Sequence, residues 1–182
     1  MDAIDIVAVK IFDGSFNFID AKSFQFEPKL RKEILELSRN SSELDDDELK
    51  IADQKLANAY GKAINEFLSS SEININDIVA VGLHGQTILH VPTISEKTSI
   101  QISDPNIISA QTGITTVADF RRMDMAYGGQ GAPLASSFHE YQFKKNDESI
   151  VILNIGGFAN VTLLPCNMSE IIGFDTGPGN AL

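Results

Sequence analysis

Apolar and polar positions alternate from the start of the chain. Ile4-Asp5-Ile6-Val7-Ala8-Val9 is β-rich, Asp13-Gly14 reads as a turn, and Phe16, Phe18, Phe24 and Phe26 fall on even positions of a second alternating segment. Pro28 suits the first turn of a short helix running through Leu37. The period then changes. Leu49, Ala52, Leu56, Ala59, Ala63 and Phe67 are spaced by three and four, which predicts a helix over about 43–69 with one apolar stripe. Ser42 with Asp45 is the expected cap. The acidic run Asp45-Asp46-Asp47-Glu48 falls in the first helical turn, where carboxylates complement the helix dipole; that reading is preferred to a cation site.

Beyond Asp77 short apolar runs alternate with polar and glycine-rich ones. Ile78-Val79-Ala80-Val81 is a buried-type strand leading into His84-Gly85-Gln86-Thr87. Ser99 to Ile102 is a further strand, followed by a helix capped near Asp104. Ile114 to Val117 predicts a strand ending in Asp119-Phe120-Arg121-Arg122, and Leu134 to Phe143 a helix. Ile150 to Leu153 is the most apolar strand; it ends in Asn154-Ile155-Gly156-Gly157, with Phe158 to Leu164 as hairpin partner. Ile171-Ile172 leads into a turn, Asp175-Thr176-Gly177-Pro178-Gly179-Asn180. Opening hairpins followed by strand–helix alternation predict an α/β fold with a mixed sheet flanked by helices. There is no internal repeat, low-complexity tract or linker. The first strand starts almost at Met1 and the chain stops just past a glycine-rich turn, so a fragment truncated at both ends is expected.

Composition narrows the partners. The 182 residues carry 14 basic and 25 acidic side chains, a net charge of −11 and a pI near 4.6. So acidic a surface repels phosphate backbones and anionic lipid heads, which argues against nucleic acid and membrane partners. No apolar run approaches the roughly 18 residues of a membrane helix, and Asp2 and Asp5 stand where an export leader would be basic. With 43% apolar and 21% charged residues, a soluble, cytoplasmic globule is expected. The single cysteine, Cys166, allows no internal disulfide and no multi-cysteine metal site.

The polar clusters all follow predicted strands, at the edge where open α/β sheets place a ligand crevice. The glycines match neither G-x-x-x-x-G-K-S/T nor G-x-G-x-x-G. They remain pairs at strand ends, either simple turns or places where backbone N–H groups approach phosphate or sugar oxygens. His84 and His90 are not spaced as a helical zinc pair. His84 reads equally as a hydrogen-bonding group at a site mouth or as a structural histidine, and His139 as structural. Arg121 and Arg122 either clamp a carboxylate or phosphate or pair with Asp119 and Asp124. Asp175 is the strongest candidate for a general base at the foot of a cleft; the alternative is a cap for its turn.

These clusters resemble the anhydro-N-acetylmuramic acid kinase family. The resemblance rests on Val79 to Thr87 with His90-Val91-Pro92, on Thr112-Gly113-Ile114 through Arg122, and on Gly128 to Leu134. Leu153 to Asn160 and Asp175 to Asn180 complete it, in the family's order, and Met1 to Asp5 resembles the end of the family's first loop. It implies an actin-like, hexokinase-like fold of ribonuclease H-like domains with ATP in the cleft. It also implies a reaction: water opens the 1,6-anhydro bridge of the sugar while ATP phosphorylates O6, giving N-acetylmuramate 6-phosphate in cell-wall recycling.

Carried onto this chain, the resemblance makes Asp175 the catalytic base and His84, Gln86, Arg121, Arg122, Gly129, Gln130, Gly131 and Asn180 the sugar contacts. Asn154, Gly156 and Gly157 would face the ATP phosphates, with Mg²⁺ expected wherever such phosphates are transferred and Asp2 its one candidate ligand. A homodimer of the full-length protein is allowed. Three departures stand out. The family's Gly-Thr-Ser phosphate loop would precede Met1, its second domain would follow Leu182, and Met123 stands where many members carry a third arginine. The 182 residues therefore read as an N-terminal sugar-kinase domain, inactive alone and oligomeric or poorly soluble. The competing readings are a non-catalytic carbohydrate-binding domain and an interaction module with vestigial loops.

Overall fold

The computed structural model describes residues 3–13, 15–41, 44–93, 97–167 and 170–180. Asp2, Ser42, Ala181 and Leu182 lie outside them, so the metal-ligand and Ser42-cap expectations fall on residues not described. The chain divides into two compact units, Met1–Phe120 and Arg121–Leu182.

In the first unit, β1 (Ala3–Phe12) and β2 (Ser15–Gln25) form an antiparallel hairpin with an irregularity between Ala8 and Val9. A register shift of that kind turns the following residues to the other face. Ile19 is the extra residue on β2, so Phe18 is turned from the face of Phe24: Ile4 and Phe24 reach the core and Phe18 is exposed. Helix α1 (Pro28–Arg39) starts on Pro28 and buries Leu30 and Ile34. Helix α2 (Asp46–Ser70) buries Ala52, Leu56, Ala63 and Phe67, four of the six positions in the stripe. Its cap is Asp45, whose carboxylate accepts the N–H groups of Asp47 and Glu48 at 2.9 and 3.0 Å. The acidic run is thus a helix start.

The strand expected at Ile78–Val81 is displaced. A 3-10 turn occupies Ile75–Asp77, Val79 is 90% exposed, and β3 is only Val81–Gly82. It pairs in parallel with β6 (Thr116–Val117). Between them β4 (Gln86–Pro92) and β5 (Lys97–Ile102) form a second antiparallel hairpin, and α3 (Pro105–Thr112) starts on an Asp104 cap. The α/β class holds, with parallel and antiparallel pairs both present. The described strands nevertheless form four separate sheets where one mixed sheet was expected. Two-residue strands such as β3 and β6 make too few ladder bonds to carry a wide sheet.

Ile102 leads into Ser103, whose φ of 119° is a region that glycine favours. The Ser103 N–H donates to Asp53 Oδ1 on α2 at 2.6 Å. Burial raises the Asp53 carboxyl above its ordinary value; the Ser103 N–H opposes this and the nearby Asp104 charge adds to it. A raised carboxyl pKa means the folded state binds the proton more tightly than the unfolded chain. Its contribution is favourable at acid pH and is lost as pH rises from the usual aspartate value, about 3.9, through the raised one. Asp53→Asn should remove that step. Melting temperature followed against pH would lose, in the variant, the fall with rising pH that Asp53 contributes above about pH 3.9, leaving a steeper loss toward acid; an unchanged profile would exclude Asp53 as its source.

The second unit holds α4 (Phe120–Ala126, whose first residue closes the first unit), α5 (Ala135–Phe143) and an antiparallel sheet. The sheet order is β7 (Ile150–Ile155), β8 (Phe158–Leu164), β9 (Ile172–Pro178). Helix α5 lies on β8, where Thr162 is fully buried with its Oγ1 3.2 Å from Ser136 Oγ and 2.8 Å from His139 Nδ1. His139 is structural, as expected. The turn expected at Asp175–Asn180 is corrected: β9 continues to Pro178. An irregularity between Ala159 and Asn160 leaves Thr176 as an extra residue opposite β8, and its hydroxyl bonds the Ala159 carbonyl at 3.1 Å. Gly177, at φ 143°, supplies the conformation this needs.

Candidate functional site

A polar row crosses the sheet of the second unit. Asn154 on β7 pairs with Asn160 on β8, which pairs with Asp175 on β9. Directly opposed residues point to the same face. Residues two apart do as well, so the row shares the face of Thr162, the one α5 covers. Asn154 and Asp175 are exposed. Asn160 is half-buried, and its Oδ1 is buried with no hydrogen-bond partner among the described residues. Two residues before Asp175, a Cβ on Gly173 would strike the Ser136 hydroxyl and the Pro133 ring. The start of α5 and the residues before it therefore lie close over β9.

Helix α4 and the glycine loop frame the same region. Arg121 Nη1 donates to the Gly131 carbonyl at 2.6 Å, and Asp124 Oδ2 accepts the Gly131 N–H at 2.7 Å. The Asp124 main-chain carbonyl also takes the Gly129 N–H at 3.0 Å. A Cβ on Gly129 would run into the Asp124 carboxylate, so a glycine is needed for this approach. Burial lowers the pKa of the Arg121 guanidinium, while the Asp175 carboxylate favours its charged form. Arg121 and the exposed Asp175 carboxylate therefore lie within electrostatic range of each other. Arg122, Met123 and Gln130 are exposed, and Gly131 is buried.

The β7–β8 hairpin was expected to offer three groups to phosphate. Asn154 and Gly157 are exposed. The Gly156 N–H, however, donates to the Phe158 carbonyl at 3.2 Å and closes the turn. Gly156 thus takes part in its own turn. Asn180 and Gly179 use their N–H groups on the carbonyls of Gly156 and Gly157, both at 2.8 Å. A Cβ on Gly179 would collide with the Gly156 carbonyl, so that glycine serves chain contact. For a metal ion, no group of three His, Cys, Asp or Glu side chains is found among the described residues.

His84 and Gln86 belong to the first unit. His84 is exposed with Nδ1 3.0 Å from the Gly85 carbonyl, and Gln86 opens β4 opposite Ile102. A cavity of about 530 Å³ in that unit lies between β2, α1 and α2. Within its lining Lys55 pairs with Glu33 at 2.8 Å, and it contains none of the expected site residues. Of the helices of the described chain, none is long and apolar enough to cross a membrane.

Sequence reasoning overlooked Asn160 as a site residue. The alternation Asn160, Thr162 marks one face, but counting outward from a two-residue Gly156-Gly157 turn sets Asn154 opposite Ala159, one residue off the register that places it across from Asn160.

Residues 1–182 match the family model described as anhydro-N-acetylmuramic acid kinase. The anhydro-N-acetylmuramic acid kinase of Shewanella amazonensis is 43% identical over 182 residues, covering all of this chain and 49% of the relative. That of Shewanella pealeana is 41% identical over 182 residues, and that of Shewanella sediminis 43% over 186, with the same coverage. The chain spans about half the length of these curated relatives.

Proposed function

Because the chain belongs to the anhydro-N-acetylmuramic acid kinase family, we propose that it supplies sugar- and phosphate-facing residues of an ATP-dependent kinase. The kinase opens the 1,6-anhydro bridge with water and phosphorylates O6, giving N-acetylmuramate 6-phosphate for cell-wall recycling. The observation that carries this reading is the polar row Asn154–Asn160–Asp175 with Arg121 coupled to its acidic end. The fold proposed with it is the ribonuclease H-like architecture of the actin-like and hexokinase superfamily, in a cytoplasmic protein.

Asp175 acts as general base. It takes one proton of the water that attacks the anomeric carbon, and a carboxylate suffices because positive charge builds there. Arg121 beside it is placed to hold an anionic group of the sugar, while its bond to Gly131 fixes the loop that would line the ring. Gly129, Gln130 and Arg122 contact the sugar from that loop and from α4; Asn180, His84 and Gln86 are the further contacts proposed. ATP supplies the phosphoryl group that O6 receives. Asn154 and Gly157 would hold its phosphates, and Mg²⁺ would ride on those phosphates without a cage of protein side chains.

The test joins these 182 residues to the second half of the Shewanella amazonensis relative. Supplied with ATP, Mg²⁺ and 1,6-anhydro-N-acetylmuramic acid, the joined polypeptide should release ADP. Its product should exceed the sugar by one phosphoryl group and one water. Sugar binding without either product would overturn the kinase reading in favour of a binding domain. The 182 residues alone, half of the relatives' length, should release no ADP, because phosphoryl transfer depends on positioning by both halves.

A further inference from the structure

The reading above leaves Asn160 without a task. It is the middle residue of the row, and its Oδ1 is buried with no hydrogen-bond partner among the described residues. Upwards of roughly 90% of buried polar groups are paired, and an exception points to a donor from outside the chain, water or ligand. Its neighbour across the strand pair is Asp175.

A water that attacks carbon has two O–H groups. The general base takes one, and the other needs an acceptor if the oxygen lone pair is to stay aimed at the carbon. Resting on the reading of Asp175 as base, we propose that Asn160 Oδ1 is that second acceptor, so that Asp175 and Asn160 hold the attacking water between them. One proton passes to Asp175, and the other stays on the oxygen and donates to Asn160. The new C–O bond forms at the anomeric carbon as its bond to O6 breaks, and that electron pair leaves on O6, which takes the phosphoryl group from ATP.

The spacing is suitable. Opposed Cβ atoms in an antiparallel pair stand roughly 4.5–5.5 Å apart. One water accepted on both sides spans about twice an O–H···O distance of 2.7–2.8 Å. Asn154 cannot share this task, because it lies a further strand away, about 4.8 Å more. Its exposed amide is left for the phosphates.

Methanol separates the two acceptors chemically. It brings one O–H for Asp175 and a methyl group where water brings its second O–H. In the joined polypeptide assayed in water–methanol mixtures, the product divides between the free sugar phosphate and its methyl glycoside. Asn160→Leu, which replaces the amide by an apolar side chain of similar size, should raise the share of methyl glycoside roughly two- to tenfold, the worth of one ordinary hydrogen bond. In water its kcat should fall by a similar factor, with the KM for sugar little changed. Asn160→Ala removes the acceptor without bulk and should shift the partition the same way, which guards against a folding defect in the leucine variant. An unchanged partition in both variants overturns the inference. Asp175→Asn tells the two claims apart. If it is slow while the Asn160 variants partition like wild type, only the water-binding role falls. If it turns over like wild type, the general base falls, and this role with it.

Discussion

Asp175→Asn is expected to lower kcat of the joined polypeptide by about 10²- to 10⁴-fold, the usual worth of general-base assistance. Sugar affinity should survive, since asparagine keeps the shape and one acceptor oxygen. Stability should barely move, for a reason the fold supplies. Asp175 lies within β9, paired with Asn160, and is exposed, so its side chain is not the cap of a turn. The Arg121 guanidinium sharpens the expectation. The Asp175 charge offsets part of what burial costs the guanidinium, and asparagine removes that offset. A wild-type kcat would end the general-base assignment. Measuring kcat, KM and melting temperature on the one variant decides between base and bystander.

Ser103→Gly is expected to stabilise the first unit. A serine held at φ 119° carries backbone strain of roughly 1–3 kcal/mol, against which the greater unfolded freedom of glycine sets about 0.5–1 kcal/mol. The hydroxyl that is lost is buried and has no hydrogen-bond partner among the described residues, so its removal breaks no bond. The main-chain N–H that Asp53 accepts is kept. The net gain is about 0.5–2 kcal/mol, several degrees in melting temperature for a unit of this size. Thermal denaturation of the two proteins at one pH tests it, and a lower melting temperature in the variant would show that the serine is unstrained.

Much of the local architecture is legible in the residues themselves. The three-and-four spacing from Leu49 to Phe67 marks the buried face of α2, and the apolar run at Ile150 with Gly156-Gly157 marks the β7–β8 hairpin. Proline and aspartate signals placed the starts of α1 and α3. Asp175, Arg121 and the glycine loop were singled out by residue type and position after strands. These features share a cause: periodicity, caps and tight turns depend on neighbours a few positions away, so the chain records them locally.

The rest depended on partners distant in the chain. Val81-Gly82 is a strand only because Thr116-Val117 lies beside it, and nothing near Ile78 says that the pairing stops at two residues. The extra Thr176 opposite β8 turned an apparent glycine-proline turn into the end of β9, and so set Asp175 across from Asn160. The hairpin turn takes up Gly156's own N–H on the Phe158 carbonyl. The coupling of Arg121 to Asp175, and the burial of Asn160 Oδ1 without a partner, likewise arise from packing between elements. By itself the sequence determined which residues carry chemistry and which faces are apolar, because those are properties of single side chains and of short periods. Only the tertiary structure decided which of them meet, because strand register and desolvation are set by whatever packs on the other side.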